Sequence, residues 1–440
     1  MPFAGGAVAA TAPAAPTPLQ YSETVIGQAY KANSAVLGEP TGIAECRAES
    51  YPCWQTFTAG GIYVLGAYQQ PIVVSGAIYL KWNAFGGMSG EAVGFPSSQM
   101  NCDAALNCQQ RFEGGSIYAP SAGTAVLVAG QFRTYDYYVN QLGWPLADST
   151  CDSGSVCSQT FERGLIYIRG TEPPAVTFGD VYAYYAARTS TLGLPYGVPG
   201  CSDRGCSQLF ERGKVYSSPR LGTFTMTGAI NAFYHDTAQA GLGWPTSEEQ
   251  CGLAGGGCVQ HLEAGRAYWA PVVGPSTIGG GILSAWSSSG AERGALGYPI
   301  SQEFCHLGLC YQRFQSGAYL VWSPGAGTQL TAGAIGAKFE RYATYLGGPT
   351  TSQETCGLRS GGCVQQFARG RMYWAPGVGA WPIRGGMETQ WRSAGAENGY
   401  LGYPTSAEYC RPDGTGCVQY FQRGQLVWGT GLGIEGGYAP

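Results

Sequence analysis

The chain has 440 residues, of which 70 are glycine, so glycine at about 16% is more than twice its average share. Charged residues make up only 12% and hydrophobic residues 44%, a balance that excludes coiled coils and highly charged disordered chains and predicts a sizeable core. The formal net charge of −4 and the four lysines argue against nucleic acid and anionic membrane surfaces as partners. We also expect no membrane insertion, because no apolar run approaches the ~18 residues of a membrane-spanning helix.

We predict that residues 1–20 form a linker. An Ala/Pro-rich stretch at residues 9–18 is typical of a semi-extended spacer. The start, residues 1–6, has neither the positive segment nor the apolar segment of an intact secretory signal. We therefore expect either that a signal was removed and a Met added, or that this is the carboxy-terminal part of a longer secreted protein with an upstream catalytic domain.

The tetrapeptide Leu/Val-Gly-x-Pro recurs eight times at intervals of 49 to 56 residues and defines an internal repeat. Its copies begin at Leu37, Val93, Leu142, Leu192, Leu242, Leu296, Leu346 and Leu401. The predicted repeats, numbered 1 to 8 below, are about 21–75, 76–129, 130–178, 179–227, 228–279, 280–332, 333–384 and 385–440. Whole repeats at both ends favour one full array.

Two cysteines follow each tetrapeptide, so eight repeats account for all sixteen. The equal count predicts one disulfide within each repeat: Cys46–Cys53, Cys102–Cys108, Cys151–Cys157, Cys201–Cys206, Cys251–Cys258, Cys305–Cys310, Cys356–Cys363 and Cys410–Cys417. Disulfides are favoured over metal ligation because only three histidines exist, and we expect no metal and no cofactor. Disulfides in turn predict an oxidising, extracellular compartment.

A hairpin and a helix complete the predicted unit. After the second cysteine comes x-Gln-x-Phe/Leu-x-x-Gly and an apolar pair, and this alternation around a glycine predicts a β-hairpin. A Gly/Pro-rich connection then leads to segments such as 228–234 and 281–286, whose apolar spacing predicts a helix of about ten residues. The fold class is therefore an α+β repeat protein in which each unit has a short helix, the Leu-Gly-x-Pro turn, a disulfide loop and a β-hairpin.

Three segments of repeat 8 together resemble the LGFP repeat: the stretch Leu401 to Glu408, the hairpin Gln419 to Gly424 and the helix Gly385 to Trp391. The resemblance covers about residues 22–435 and implies a secreted actinobacterial cell-wall protein, as in the carboxy-terminal region of some corynebacterial mycoloyltransferases. It implies repeats arranged as a propeller-like disc or closed ring. It also implies anchoring to the envelope by multivalent, non-catalytic binding of wall polysaccharide, with arabinogalactan the expected ligand and peptidoglycan the alternative.

The chain departs from the family pattern in two places. It places a cysteine pair where the family has an Asp-Gly-rich loop, which suggests a harsher or more oxidising setting. Glu39, Leu194 and Gly348 replace the aromatic residue of the tetrapeptide. We expect the repeats with these three residues to be structural only.

Sugar rings stack their C–H faces on aromatic side chains, and candidate aromatics recur at two places in the repeat. At the variable position of the tetrapeptide they are Phe95, Trp144, Trp244, Tyr298 and Tyr403. At the end of the hairpin they are Trp269, Trp322, Trp374 and Trp428. The alternative, favoured for any single residue, is that these rings pack one repeat against the next, because a short unit buries too little surface alone.

Charged residues also recur at fixed positions. They are Arg163, Arg212, Arg369 and Arg423 before the hairpin glycine, and Glu303, Glu354 and Glu408 after the proline. These side chains either grip sugar hydroxyls or form structural Arg–Glu hydrogen bonds or local caps, and the structural alternative is favoured.

We expect no catalytic residues. The chain lacks the Gly-x-Ser-x-Gly, His-Glu-x-x-His and phosphate-loop motifs, and His235 beside Asp236 is an isolated pair. The rival functions are an interaction scaffold that recognises a protein partner and, less favoured, a wall hydrolase.

Overall fold

The computed structural model describes residues 17–48, 50–90, 92–121, 123–237, 239–429 and 433–438. Most of the predicted linker, residues 1–16, and the side chains of the pair His235 and Asp236 lie outside the described part of the chain. The chain divides into two compact units, residues 1–211 and 212–440. The division falls within repeat 4, between its second and third strands.

Helices precede the turn of each repeat. The first helix, Pro18–Leu37, begins with a capping box between Thr17 and Gln20, so the last three residues of the predicted linker belong to a helix. The other α-helices are Gly76–Ala84, Tyr135–Leu142, Gly179–Ala186, Thr189–Leu192, Gly228–Thr237, Gln239–Leu242, Gly280–Ser288, Gly333–Leu346 and Gly385–Ser393. The 3-10 helices are Gly87–Ser89, Gly130–Phe132, Ala254–Gly256, Ala291–Arg293, Arg359–Gly361 and Ala396–Asn398.

Each repeat ends in a sheet of four antiparallel strands whose spatial order is their order along the chain. The predicted hairpin forms the second and third strands. Two strands were not predicted: the first, which carries the first cysteine, and the fourth, which lies where we expected an irregular Gly/Pro-rich connection. Each repeat therefore contains more β-structure than its sequence pattern predicts.

The strand bounds follow one scheme in all eight repeats. The first strands are Glu45–Arg47, Asn101–Cys102, Thr150–Cys151, Gly200–Ser202, Gln250–Cys251, Phe304–His306, Thr355–Leu358 and Tyr409–Cys410. The second strands are Ser50–Phe57, Cys108–Phe112, Val156–Phe161, Gly205–Phe210, Cys258–Leu262, Leu309–Arg313, Gly362–Phe367 and Gly416–Phe421. The third strands are Gly60–Val64, Gly115–Ala119, Gly164–Arg169, Gly213–Ser218, Gly265–Ala270, Tyr319–Ser323, Gly370–Ala375 and Gly424–Gly429. The fourth strands are Ile72–Ser75, Val126–Ala129, Ala175–Phe178, Gly222–Thr227, Gly274–Gly279, Gly327–Thr331, Gly379–Ile383 and Gly433–Tyr438.

The eight predicted disulfides are confirmed, and they use all sixteen cysteines. Each joins directly opposite residues of the first and second strands, with Cα atoms 3.9 to 4.1 Å apart. Because each closes a loop of only five to seven residues, the chain-entropy gain is about 2 kcal/mol per bond. Their main effect is local: they fix the short first strand against the hairpin.

The Leu-Gly-x-Pro segment is a turn that requires its glycine. In all eight copies this glycine has φ between 67° and 75°, a region that disfavours side chains. In repeat 3 the side chain of Glu162 lies against the turn, and its Oε2 accepts a 3.0 Å hydrogen bond from the amide of Trp144. A Cβ atom on Gly143 would lie 3.0 Å from the Glu162 Cβ. In five other repeats the amide of the same tetrapeptide residue donates to the side-chain oxygen of the matching Glu or Gln; the pairs are Phe95–Glu113, Leu194–Glu211, Trp244–Glu263, Tyr298–Gln315 and Tyr403–Gln422.

Hydrophobic cores lie between consecutive sheets, beneath the helix that connects them. In the residues 1–211 unit, Tyr135 of a helix packs edge-on against Tyr118 of the preceding sheet and stacks on Phe161 of the following one. Tryptophans take the same place in three other helices. The indole N–H groups of Trp82, Trp286 and Trp391 donate 2.9 Å hydrogen bonds to the glycine carbonyls of the next tetrapeptides. Each pair of neighbouring repeats therefore shares a hydrophobic core.

A buried glutamine in the second strand ties each sheet to the sheet before it. Gln365 is 1% exposed, and its Nε2 donates to the Leu330 carbonyl of the preceding fourth strand at 2.8 Å and to the Thr351 carbonyl after its own tetrapeptide at 3.0 Å. The same pair of bonds is made by Gln110, Gln159, Gln208, Gln260, Gln312 and Gln419. We call this contact the glutamine clamp.

Replacing the turn glycine should destabilise the chain. Gly143→Ala forces a left-handed conformation on alanine and pushes against Glu162, so we expect a loss of about 1–2 kcal/mol in the free energy of unfolding. The control is Gly27→Ala in the first helix, where no atom lies within 4 Å of the added Cβ and the expected change is a gain of up to about 1 kcal/mol. Urea unfolding of the full chain measures both, and equal effects would contradict the role of the turn.

Removing one glutamine clamp should lower the free energy of unfolding more than replacing the adjacent glutamine of the same strand. Gln365→Leu leaves two partly buried carbonyls without a donor and the Thr331 hydroxyl without its acceptor, so we expect a loss of about 2–4 kcal/mol in the free energy of unfolding. Gln366→Leu changes an exposed position of the same strand and should stay within about 0.5 kcal/mol of the parent. Similar urea midpoints for the two variants would show that the clamp is unimportant.

Candidate functional site

Two of the predicted sugar-binding tyrosines lie in the core. Tyr298 is 4% exposed and donates its hydroxyl to the Ala254 carbonyl at 2.8 Å, in the disulfide loop of repeat 5. Tyr403 is 2% exposed and donates in the same way to the Arg359 carbonyl at 2.6 Å, in the loop of repeat 7. Their ring faces are covered by protein, so both residues join one repeat to the next.

The three other tetrapeptide aromatics are only half-buried. Trp144 meets the ring of Tyr118 edge-on at 5.6 Å, and Trp244 meets Tyr216 in the same way at 5.5 Å. Phe95 has a similar degree of exposure. All three rings therefore keep part of their surface in solvent, and a neighbouring aromatic fixes the orientation of the two tryptophans.

The four tryptophans at the hairpin ends share one environment. All are half-buried, and each lies directly opposite the second cysteine of its own repeat across the second and third strands. The pairs are Cys258–Trp269, Cys310–Trp322, Cys363–Trp374 and Cys417–Trp428. Directly opposite residues of an antiparallel pair project on the same face, so each indole lies beside a disulfide. We call these residues the tryptophan platforms.

The structure brings six of the nine candidates together in three pairs rather than in one pocket. Trp269 and Trp244 pack against the same core, as do Trp322 with Tyr298 and Trp428 with Tyr403. The nine candidates are spread over six repeats. The arrangement provides several separate aromatic surfaces, and sequence reasoning did not identify the disulfide beside each tryptophan. The spacing of eleven or twelve residues between the second cysteine and the tryptophan is the signal that was available.

Three of the four recurring arginines form local caps. Arg163 donates to the Asn140 and Gln141 carbonyls at the end of a helix, at 2.7 and 3.3 Å. Arg369 donates to the Thr344 carbonyl in the last turn of its helix, and Arg423 to the Gly399 carbonyl at 2.5 Å. Guanidinium groups at helix carboxyl ends satisfy free carbonyls and complement the helix dipole. These contacts match the structural alternative for the arginines.

The recurring glutamates differ from one another. Glu408 accepts a 2.9 Å hydrogen bond from the Tyr345 hydroxyl and lies 3.9 Å from Arg384, whereas Glu303 is exposed. Burial raises the pKa of Glu354. In repeats 5 to 8 a glutamate lies close to both cysteine sulfurs of its repeat: Glu249, Glu303, Glu354 and Glu408. Because those sulfurs are bonded to each other, they are not thiolates, which are the form of cysteine that binds metal ions.

Two concave surfaces add to the aromatic ones. A cleft of about 410 Å³ in the residues 1–211 unit is lined by Tyr21, Gln28, Asn33 and Gln69 together with smaller neighbours, and none of its described lining residues is charged. A groove of about 400 Å³ in the residues 212–440 unit lies beside Gly348. Amide side chains next to a tyrosine suit an uncharged ligand rich in hydroxyl groups.

The LGFP repeat is the protein family whose sequence model matches the chain. It matches five times, over residues 192–238, 242–294, 296–343, 346–399 and 401–434, which together exceed half of the chain. No curated protein matches the chain.

Solved structures show only a distant likeness. PorZ, a surface component of the type-IX secretion system of Porphyromonas gingivalis, is 10% identical, with 92% of this chain and 60% of that chain covered and a TM-score of 0.15. The extracellular domain of a hybrid two component system from B. thetaiotaomicron is 12% identical, with 91% and 46% covered and a TM-score of 0.14. The chain thus spans about half to three fifths of the length of these proteins, and TM-scores this low say nothing about its fold.

The buried tyrosines should make the chain sensitive to alkali. Burial, reinforced by the carboxylate of Glu397, raises the pKa of Tyr403 to about 12 from its ordinary value of 10.0. The neutral phenol stabilises the fold fully below about pH 10, and this contribution is lost as the pH rises towards about 12, with a slope of about 1.4 kcal/mol per pH unit.

Urea unfolding at a series of alkaline pH values tests this expectation. Tyr403→Phe should lower the stability at neutral pH by about 1 kcal/mol, because the bond to the Arg359 carbonyl is lost, and should make the alkaline decline shallower. An unchanged alkaline slope in this variant would show that Tyr403 ionises as freely in the fold as in the unfolded chain.

Proposed function

The chain belongs to the LGFP repeat family, and from that premise we propose that it binds actinobacterial cell-wall polysaccharide through several weak, non-catalytic sites and thereby anchors to or stabilises the envelope. Arabinogalactan is the expected ligand, and the expected location is secreted and associated with the wall. The repeats are proposed to follow one another in a propeller-like disc or closed ring. The single observation that carries the proposal is the row of tryptophan platforms.

A tryptophan platform has the properties that sugar stacking needs. The indole is large and partly exposed, so a sugar can cover it with its apolar C–H face and exclude water from both surfaces. The disulfide beside it and the core beneath it hold the ring in place, so little conformational entropy is lost on binding. Four such rings at one position of four consecutive repeats favour a ligand that is itself repetitive, which a polysaccharide is.

Multiple sites compensate for weak single contacts. One stacked sugar ring contributes about as much as one aromatic contact, on the order of 1 kcal/mol. When several platforms engage one polymer, the later contacts are intramolecular, and the avidity rises by about 10² to 10⁴ over a single site. Retention on a polymer therefore explains why the chain carries several copies of the repeat.

Three further observations agree with the proposal. Eight disulfides are consistent with an extracellular protein. Among the described residues, no helix is long and apolar enough to cross a membrane. Three of the four recurring arginines are used as caps, which leaves the aromatic rings as the repeated surface feature.

Co-sedimentation of the oxidised full chain with actinobacterial walls tests the proposal. We expect retention on intact walls and its loss after mild acid strips the arabinogalactan from the peptidoglycan. Retention that survives stripping would point to peptidoglycan as the ligand. No retention on either preparation would overturn the proposal in favour of a scaffold for a protein partner.

Variants of the platforms test the mechanism. Trp269→Leu, Trp322→Leu, Trp374→Leu and Trp428→Leu keep an apolar side chain against the core but remove the ring. We expect retention to fall with each added substitution, and by about 10² or more when all four are combined. The control replaces Tyr409 and Tyr420 by leucine, because these exposed aromatics lie on the face of the repeat 8 sheet opposite to Trp428. Equal losses in both sets, or unchanged retention without the platforms, would contradict their role.

A further inference from the structure

The junctions between repeats 5 and 6 and between repeats 7 and 8 are built on a matched pair of residues. At the first, the Tyr298 hydroxyl lies over Gly257, which precedes the second cysteine of repeat 5. At the second, the Tyr403 hydroxyl lies over Gly362 in the same position of repeat 7. A Cβ atom on either glycine would overlap the hydroxyl. A tyrosine in the tetrapeptide therefore requires a glycine in the disulfide loop before it.

The junction between repeats 6 and 7 reverses this pair. The tetrapeptide position is Gly348, and the residue before the second cysteine of repeat 6 is Leu309. A Cβ atom on Gly348 would lie 2.7 Å from the Leu309 Cδ1, so the leucine occupies part of the space that a tyrosine ring takes at the other two junctions. Leucine is smaller than tyrosine, and the groove of about 400 Å³ opens here.

The groove has an aromatic wall. Phe304 is 53% exposed, and its ring centre lies 5.2 Å from that of Tyr311 on the adjacent strand. Tyr311 in turn packs edge-on against Phe339 at 5.3 Å, which fixes its orientation. Leu307, 88% exposed, lies at the edge. The wall is thus a rigid apolar surface open to solvent on one side.

Polar groups occupy the other side of the groove. Glu340 is exposed, and one of its oxygens accepts a 2.9 Å hydrogen bond from the Tyr319 hydroxyl. Burial and this nearby carboxylate raise the pKa of Tyr319 to about 12, so the phenol stays protonated as the donor. The Arg369 guanidinium, also at the groove, donates to the Thr344 carbonyl at the end of the helix.

These features select the chemistry of the ligand. The formal charges of Glu340 and Arg369 cancel, and the Arg369 guanidinium already donates to the Thr344 carbonyl, so the groove has no excess positive charge to favour phosphates or uronic acids. A purely aliphatic ligand would cover the Glu340 carboxylate without giving it a hydrogen bond, which is costly. A neutral ring with an apolar face and hydroxyl groups at its edge satisfies both walls, with the face on Phe304 and a hydroxyl donating to Glu340.

We propose that the groove between repeats 6 and 7 is a discrete binding site for one or two neutral sugar rings of a saccharide chain, with Phe304 and Tyr311 as the stacking wall and Glu340 as the hydroxyl acceptor. The proposal rests on the proposed function and deepens it, because it assigns a concave site to a repeat that lacks a tetrapeptide aromatic. Its volume lies in the lower part of the range of small-molecule sites, which suits a short saccharide.

The test is isothermal titration calorimetry of the full chain with short, soluble oligosaccharides of arabinose and galactose. The double variant Leu309→Gly, Gly348→Tyr rebuilds the residue pair of the two neighbouring junctions and closes the groove, so we expect it to fold. We expect its affinity for the oligosaccharides to fall at least tenfold, equivalent to about 1.4 kcal/mol. Undiminished affinity in this variant would overturn the proposal.

Two milder variants keep the test valid if the double variant does not fold. Phe304→Ala removes an exposed ring and Glu340→Gln removes the charge while keeping its shape, and each should weaken oligosaccharide binding several-fold. Tyr409→Ala is the matched control, because it also removes an exposed aromatic from a first strand. Equal affinity in Phe304→Ala and Tyr409→Ala would count against the groove, as would binding of tyrosine-rich peptides in place of sugars.

The two proposals fail in different ways. The double variant retains all four tryptophan platforms, so it should still sediment with intact walls. Loss of wall retention by the parent chain would contradict the proposed function. If the parent chain is retained on walls but the double variant binds the oligosaccharides as tightly as the parent, only the proposal for the groove is contradicted.

Discussion

The glutamine clamp is the contact on which the repeats depend. One amide nitrogen donates to the fourth strand of the preceding sheet and to the segment after the tetrapeptide of its own repeat, so three pieces of chain meet at one buried side chain. The helix aromatics reinforce the same junction by binding the glycine carbonyl of the turn. The tryptophan platforms and one wall of the groove beside Gly348 lie on strands whose relative positions these hydrogen bonds set.

Much of the repeat could be predicted because single residues at fixed positions define it. The tetrapeptide and the cysteine count identified eight units and all eight disulfides, since short loops leave each cysteine one near partner. The first and fourth strands could not be predicted. The first is only two to four residues long and has no alternation to recognise. The fourth contains glycine and proline, as in Gly379–Ile383 with Pro382, which an edge strand tolerates but which resembles an irregular connection.

The candidate site was harder to predict because burial depends on a distant neighbour. Tyr298 and Trp144 occupy the same position of the tetrapeptide, yet Tyr298 is buried and Trp144 keeps part of its surface in solvent. The difference for Tyr298 lies in Gly257, about forty residues earlier, which leaves room for the hydroxyl. Periodicity within a repeat carries no such information. For the same reason a groove opens beside Gly348, in a repeat that we expected to be structural only.

The tyrosine–glycine junctions also constrain how such an array changes length during evolution. Loss of repeat 7 alone would place Tyr403 over Leu309, where two large side chains compete for one space, and loss of repeat 6 alone would place Gly348 over Gly257, where neither fills it. Loss of repeats 6 and 7 together brings Tyr403 over Gly257 and restores a matched junction. Recombination that removes or duplicates these repeats is therefore tolerated in pairs, so the inherited module in this part of the chain is about one hundred residues long rather than fifty.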